Sequence, residues 1–195
     1  MSLHVMASKM AFFLVRREIV REEKSDIYAF GLEILIASVV NGILAAAISL
    51  SLGIFWQSML MLFPFLLIRS NGGGYHADSH TGCMLGFVFV YSSFLFAAKH
   101  LPPGTVLPLA LCSLMIGTAV ILAIGPLPHK NRPVSGRELK SFSVKTRILA
   151  VLLAIVGSVG LFFSPCLFIY FALGIVIAAG SLLAGCIQTK SEGGH

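Results

Sequence analysis

The polar segment 69–83 concentrates side chains that could carry out covalent chemistry within 15 positions of this 195-residue chain. It contains two histidines, a cysteine, an aspartate and an arginine, and three glycines precede the first histidine. Cys83 is the only one of the four cysteines in a polar loop, since Cys112, Cys166 and Cys186 lie within or at the edge of apolar segments. Cys83 is therefore the candidate nucleophile.

Cys83 and His76 have the residue types of a nucleophile and its base, which together form an acyl-enzyme. Cys83 opens an apolar segment for which Thr81 is the expected N-cap, and helix N-termini stabilise thiolates. The glycines Gly73 and Gly74 would let a substrate approach the backbone closely. On composition alone, a flexible glycine loop with incidental polar residues explains the segment equally well.

Two other functions compete with cysteine catalysis. His76, His80 and Cys83 have the spacing H-x3-H-x2-C, which a helix would place on one face as zinc ligands. Asp78 would complete this set only on a bent backbone, and the protein would then be an intramembrane zinc peptidase. A small transporter or membrane-binding module without catalysis would also account for the glycine-rich loop and the prolines between apolar segments.

The composition predicts a membrane protein. Hydrophobic residues make up 57% of the chain and charged residues 11%, whereas soluble domains carry about 25% charged residues. We therefore predict an all-α, polytopic integral membrane protein formed by a single domain, 1–195, with six transmembrane helices between residues 32 and 187. The six apolar segments are 32–52, 54–68, 84–98, 106–124, 148–163 and 166–187.

The two ends of the chain are predicted to lie outside the spans. Residues 1–31 form an N-terminal amphipathic segment, in which Lys9 to Lys24 has apolar residues at Phe12, Val15 and Ile19 with charges between them. This pattern is typical of a helix on the membrane surface. Residues 188–195 form a tail.

The basic residues predict the orientation. Thirteen of the 14 lysines and arginines fall on one side of a six-span arrangement, and only Lys99 falls on the other. By the positive-inside rule both termini and the loop 69–83 are predicted to lie on the cytoplasmic side of the membrane. The net charge of +6 is thus a topology signal, and no nucleic-acid partner is expected.

Two patterns bear on packing. Segments 54–68 and 84–98 each cover 15 positions. Because that is about 22 Å of helix against a hydrocarbon core of about 30 Å, we expect the loop between them to lie below the cytoplasmic interface. Small residues four positions apart predict close helix contacts at Gly42/Ala46, Gly174/Ala178 and Ser181/Gly185.

The chain resembles the accessory gene regulator protein B (AgrB) family of bacterial membrane cysteine endopeptidases. The resemblance rests on Arg69, on the core Gly73-Gly74-Tyr75-His76-Ala77, and on Cys83 seven residues after His76. Supporting similarity lies in 28–35, where Gly31-Leu32-Glu33 opens the first apolar segment, and in 125–133. His80 and the triple glycine are departures from the family pattern, and His80 is a second possible base.

The resemblance implies that the protein processes a short quorum-sensing propeptide. Cys83 would cleave off the C-terminal tail and form a thioester, with His76 as general base and acid and with no cofactor. A cysteine or serine of the propeptide would then attack the thioester and close a thiolactone or lactone ring, giving an autoinducing peptide. A homodimer is also implied.

Other residues are candidates for supporting roles. Glu33 could orient His76, and Arg69 could bind a substrate carboxylate or stabilise an oxyanion. Equally, Glu33 could be an interfacial carboxylate and Arg69 a plain topology anchor. The basic loop after the fourth apolar segment would attract an acidic propeptide tail. Its candidate binding residues are Lys130, Arg132, Arg137 and Lys140.

The dyad sets a geometric requirement. A continuous helix from His76 to Cys83 would separate the two residues by about 10.5 Å along its axis. Because a base must come within hydrogen-bond distance of its nucleophile, the backbone is expected to bend, with the helix of the third span starting near residues 81–83. Otherwise His76 would serve the Cys83 of a partner subunit.

Overall fold

The computed structural model describes residues 3–17, 19–75, 80–126 and 136–192. Within these ranges the chain forms seven α-helices and a 3-10 turn at Glu22–Lys24, and no strand. The predicted all-α membrane architecture is confirmed. The helices are α1 (Leu3–Arg16), α2 (Ser25–Ser51), α3 (Phe55–Gly72), α4 (His80–Lys99), α5 (Pro103–Ile124), α6 (Gly136–Phe163) and α7 (Pro165–Glu192).

All six predicted apolar segments lie in helices, and five of these helices in the described part of the chain are long and apolar enough to cross a membrane. They are α2, α4, α5, α6 and α7. The sixth, α3, has 18 residues but ends in the polar sequence Arg69-Ser70-Asn71. These polar residues lower its mean hydropathy, so the predicted count of six spans is approximate.

The helices beside the segment 69–83 are longer than their apolar segments. Helix α3 continues to Gly72, and α4 begins at His80, which gives lengths of 18 and 20 residues. At 1.5 Å per residue these helices are about 27 and 30 Å long. The helices thus extend past their apolar segments into polar sequence, and the expectation that the loop between them lies below the cytoplasmic interface stays a prediction.

The N-terminal segment is helical with different bounds from those predicted. Helix α1 ends at Arg16, the 3-10 turn follows, and α2 begins at Ser25. The expectation of one helix reaching Lys24 is thus wrong, as is a first span that begins only at residue 32. Within α1, Ala7 and Ala11 are buried while Phe12 and Phe13 are exposed.

The chain divides into two compact units, Met1–Ile48 with Ala77–Phe89, and Ser49–His76 with Val90–His195. The single membrane domain stays a prediction. In the second unit α7 packs against α3, α5 and α6. Its buried residues include Ile169, Phe171 and Leu182.

Helices α3 and α7 approach each other closely and run in the same direction. A Cβ at Gly174 would overlap the carbonyl oxygen of Met61, and a Cβ at Gly72 would lie 3.5 Å from Leu182. The small pair Gly174/Ala178 therefore marks a helix contact, as predicted. At Gly42 a Cβ would have nothing within 4 Å, so that position shows no comparable packing.

Candidate active site

Cys83 lies in the first turn of α4, as the fourth residue of the helix. Its thiol is free and its side chain is half-buried. The helix begins at His80, slightly before residues 81–83, so Thr81 lies inside the first turn rather than at the N-cap. The first turn of a helix carries a partial positive charge from its unpaired backbone amides.

A helix start does not by itself distinguish Cys83 from the other cysteines. Cys166 is the second residue of α7 and also lies in a first turn, with an exposed side chain. Cys112 lies within α5 and Cys186 within α7. The feature peculiar to Cys83 is the histidine-bearing polar segment that immediately precedes α4.

The partners predicted for Cys83 lie at the edge of what the structure describes. His76 and Asp78 lie outside the described residues, and His80 is described only through its backbone. The dyad and the zinc set therefore stay predictions. Among the described residues, no group of three or more His, Cys, Asp or Glu side chains could hold a metal ion.

Arg69 of α3 forms hydrogen bonds both to α7 and to the turn that follows α3, all within the second unit. Its Nη1 donates to Ser181 Oγ of α7 at 2.5 Å, and its Nη2 donates to the carbonyl oxygen of Tyr75 at 2.7 Å. The amide of Tyr75 donates in turn to the carbonyl oxygen of Ser181 at 2.8 Å. Both backbone polar groups of Tyr75 are thus bound, and Tyr75 is the residue covalently joined to His76.

The turn Gly73–Tyr75 after α3 requires glycine at two positions. Gly73 has φ +74° and Gly74 has φ +140°, backbone conformations that residues with a Cβ rarely adopt. At Gly74 a Cβ would also overlap Ser181 Oγ and lie 2.5 Å from Arg69 Nη1. The glycines therefore leave room for Arg69 and Ser181, and the expected close approach of a substrate stays a prediction.

The remaining predicted residues belong to other parts of the sequence. Glu33 lies in α2 and is buried, with 8% of its surface exposed. Lys130 and Arg132 lie outside the described residues, while Arg137 and Lys140 lie in the first turns of α6, where the structure describes the backbone. Their proposed contacts with His76 and with substrate stay predictions.

Ser181 is a site residue that sequence spacing did not reveal, since the pattern indicated it only as one half of the small pair Ser181/Gly185. A hydroxyl residue within an apolar helix was the available signal, but its partner Arg69 is 112 positions away in sequence. Spacing within one segment could not have revealed this contact.

The model of the family described as accessory gene regulator B matches residues 7–189. The chain is 24% identical over 153 residues to an accessory gene regulator protein B of Staphylococcus intermedius, which covers 77% of this chain and 79% of that protein. It is also 24% identical over 125 residues to a putative AgrB-like protein 2 of Clostridium perfringens (strain 13 / Type A), covering 60% of this chain and 58% of that protein. No solved structure gives a significant match. The chain belongs to the accessory gene regulator B family.

Proposed function

We propose that this protein is a membrane-embedded cysteine endopeptidase that cleaves and cyclises a short propeptide in quorum sensing. The observation that carries the proposal is the placement of free, half-buried Cys83 in the first turn of α4, directly after the family's histidine-bearing segment. Membership of the accessory gene regulator B family supports a role in that quorum-sensing system.

The reaction proceeds in two acyl transfers. His76 takes the proton of Cys83, and the sulfur attacks the carbonyl carbon that precedes the C-terminal tail of the propeptide. The carbon–nitrogen bond breaks, the tail amine takes the proton from His76, and a thioester remains on Cys83. A cysteine or serine side chain of the propeptide then attacks this thioester. The ring closes as a thiolactone or lactone, and Cys83 regains its proton.

The proposed substrate has an acidic C-terminal tail. Segment 130–147 carries six basic residues and one acidic residue, Glu138, so its charge would attract such a tail most strongly at low salt. Neutralising Lys130, Arg132, Arg137 and Lys140 together is expected to raise KM more than it lowers kcat. Steady-state cleavage at two salt concentrations measures this effect, and an unchanged KM would leave the cluster with a role in topology alone.

The site is proposed to work at the cytoplasmic face of the bacterial membrane, with both termini cytoplasmic. The charge distribution supports this orientation, since Lys99 alone among the 14 basic residues would lie outside. The family resemblance supports a homodimer. Substrate would then be cleaved where it is made.

Substitutions at the sulfur and the imidazole test the catalytic pair. With a short quorum-sensing propeptide that the wild-type protein cleaves as substrate, Cys83→Ala is expected to abolish cleavage, whereas Cys112→Ala, Cys166→Ala and Cys186→Ala retain it. His76→Ala is expected to lower kcat by about 10²- to 10⁴-fold, the usual contribution of a general base. His80→Ala is expected to keep most of the activity.

The same assay separates thiol from metal chemistry. A thiol alkylator is expected to stop cleavage and a chelator to leave it unchanged. Full cleavage by Cys83→Ala would contradict the proposal. Equal loss in His76→Ala and His80→Ala, together with a requirement of the wild-type protein for added zinc, would favour the zinc peptidase instead.

A further inference from the structure

We propose that Ser181 of α7 is a positioning residue for His76, acting through Arg69 and the backbone of Tyr75. The inference rests on the proposed function, because it assigns His76 the role of base. It adds a residue from α7, 112 positions after Arg69 in sequence.

Three hydrogen bonds among Ser181, Arg69 and Tyr75 join α7 to Tyr75, the residue before His76. Ser181 accepts from Arg69 through Oγ, and it accepts the amide of Tyr75 through its carbonyl oxygen. Arg69 completes the connection by donating to the Tyr75 carbonyl. Both peptide groups that flank Tyr75 are thereby tied to Ser181 and Arg69.

A run of glycines makes such a connection necessary. Residues 72–74 are all glycine, and glycine has more backbone freedom to lose on ordering than any other residue. A backbone with such a run would sample many conformations unless the residues after it were held. Since a misplacement of about 1 Å can cost on the order of 100-fold in rate, the bonds at Tyr75 would bear directly on catalysis.

The chemistry of Arg69 explains why a hydroxyl is present at position 181. A guanidinium presents several donors in a rigid planar fork, so one side chain can bond Ser181 and Tyr75 at the same time. Bonds from a charged donor are stronger than those between neutral groups. The absence of a side chain at Gly74 leaves the space that the Arg69–Ser181 bond occupies.

Paired substitutions at Ser181 test the role of its hydroxyl. Ser181→Thr keeps the hydroxyl, and Ser181→Val has the same branched shape without it. Propeptide cleavage by Ser181→Val is expected to fall at least about tenfold in kcat with little change in KM, whereas Ser181→Thr stays near the wild type. Thr189→Ala is the control on α7, because the Thr189 hydroxyl donates to the Gly185 carbonyl oxygen within the same helix.

A second measurement does not depend on the substrate. If His76 activates Cys83, the rate of alkylation of Cys83 by iodoacetamide at neutral pH reports on their pairing. We expect this rate to fall in Ser181→Val and in Arg69→Lys, and to stay high in Ser181→Thr and Thr189→Ala. Arg69→Lys is included because an ammonium lacks the planar fork that reaches both acceptors.

The outcomes separate this inference from the proposed function. Wild-type kcat in Ser181→Val, or equal losses in Ser181→Val and Ser181→Thr, would overturn the positioning role. Equal loss in Thr189→Ala would also overturn it, since general loosening of α7 would then be the cause. Full cleavage by Cys83→Ala would instead overturn the catalytic proposal itself. If Ser181→Val does not fold, the ratio of kcat between Ser181→Ala and Ser181→Thr decides the question in the same way.

Discussion

At the scale of single residues, the structure gives Arg69 specific hydrogen-bond partners within the protein. From the sequence, Arg69 could have been a contact to substrate or oxyanion, or a topology anchor. In the structure its Nη1 and Nη2 atoms bond Ser181 and Tyr75. These contacts favour a role in ordering the turn Gly73–Tyr75, and contact with substrate stays a prediction.

Gly74→Ala tests the space within that turn. The added methyl would overlap Ser181 Oγ and Arg69 Nη1, on a backbone at φ +140° that alanine rarely adopts. We expect cleavage to fall on the order of 100-fold through displacement of the residues that follow. Gly86→Ala on α4 is the control, since a Cβ there meets nothing within 4 Å. Equal activity of the two variants would contradict the geometry described for the turn.

At the scale of helices, the sequence predicted where apolar chain lies but not where each helix ends. Hydropathy located the core of every span because charged groups are costly inside the bilayer. It missed the ends because helices continue into polar sequence, as α2 does from Ser25 and α3 does through Arg69 to Gly72. Helix geometry requires backbone hydrogen bonds, which polar residues can also make.

Contacts between helices were predictable only in part. The small pair Gly174/Ala178 indicated a close approach, and Gly174 indeed has no room for a Cβ beside Met61. At Gly42 of the similar pair Gly42/Ala46 a Cβ would meet nothing within 4 Å, because small residues permit a close approach without requiring one. The candidate site was likewise predictable only in part. Its motif was visible within one segment, while the support from Ser181 depended on how α7 packs against α3.

At the scale of the whole molecule, the direction of the helices agrees with the distribution of charge. Helices α3 and α7 touch at Met61 with Gly174 and at Gly72 with Leu182, so they run in the same direction. Helices α4, α5 and α6 lie between them in sequence. When successive helices cross a membrane in alternating directions, two helices with three others between them run in the same direction. The carboxyl-terminal ends of both helices would then face the cytoplasm, together with most basic residues.

Labelling of single cysteines tests this topology. In a background without the four native cysteines, His100→Cys beside Lys99 is expected to react with a membrane-impermeant maleimide added to intact cells. Ser70→Cys and Arg137→Cys are expected to react only after the membrane is permeabilised. His100 and Ser70 are both exposed, so burial would not explain a difference between them. Ready labelling of Arg137→Cys in intact cells would contradict the assigned orientation.

The most direct test of the central claim is detection of the thioester on Cys83. A propeptide whose ring-forming cysteine or serine is replaced by alanine cannot cyclise, so the acyl-enzyme should persist long enough to be trapped by acid. Digestion and mass spectrometry are expected to show the Cys83 peptide heavier by the propeptide without its tail, with loss of this mass on treatment with hydroxylamine. Release of the tail with no adduct on Cys83, or an adduct on Cys112, Cys166 or Cys186, would contradict the account.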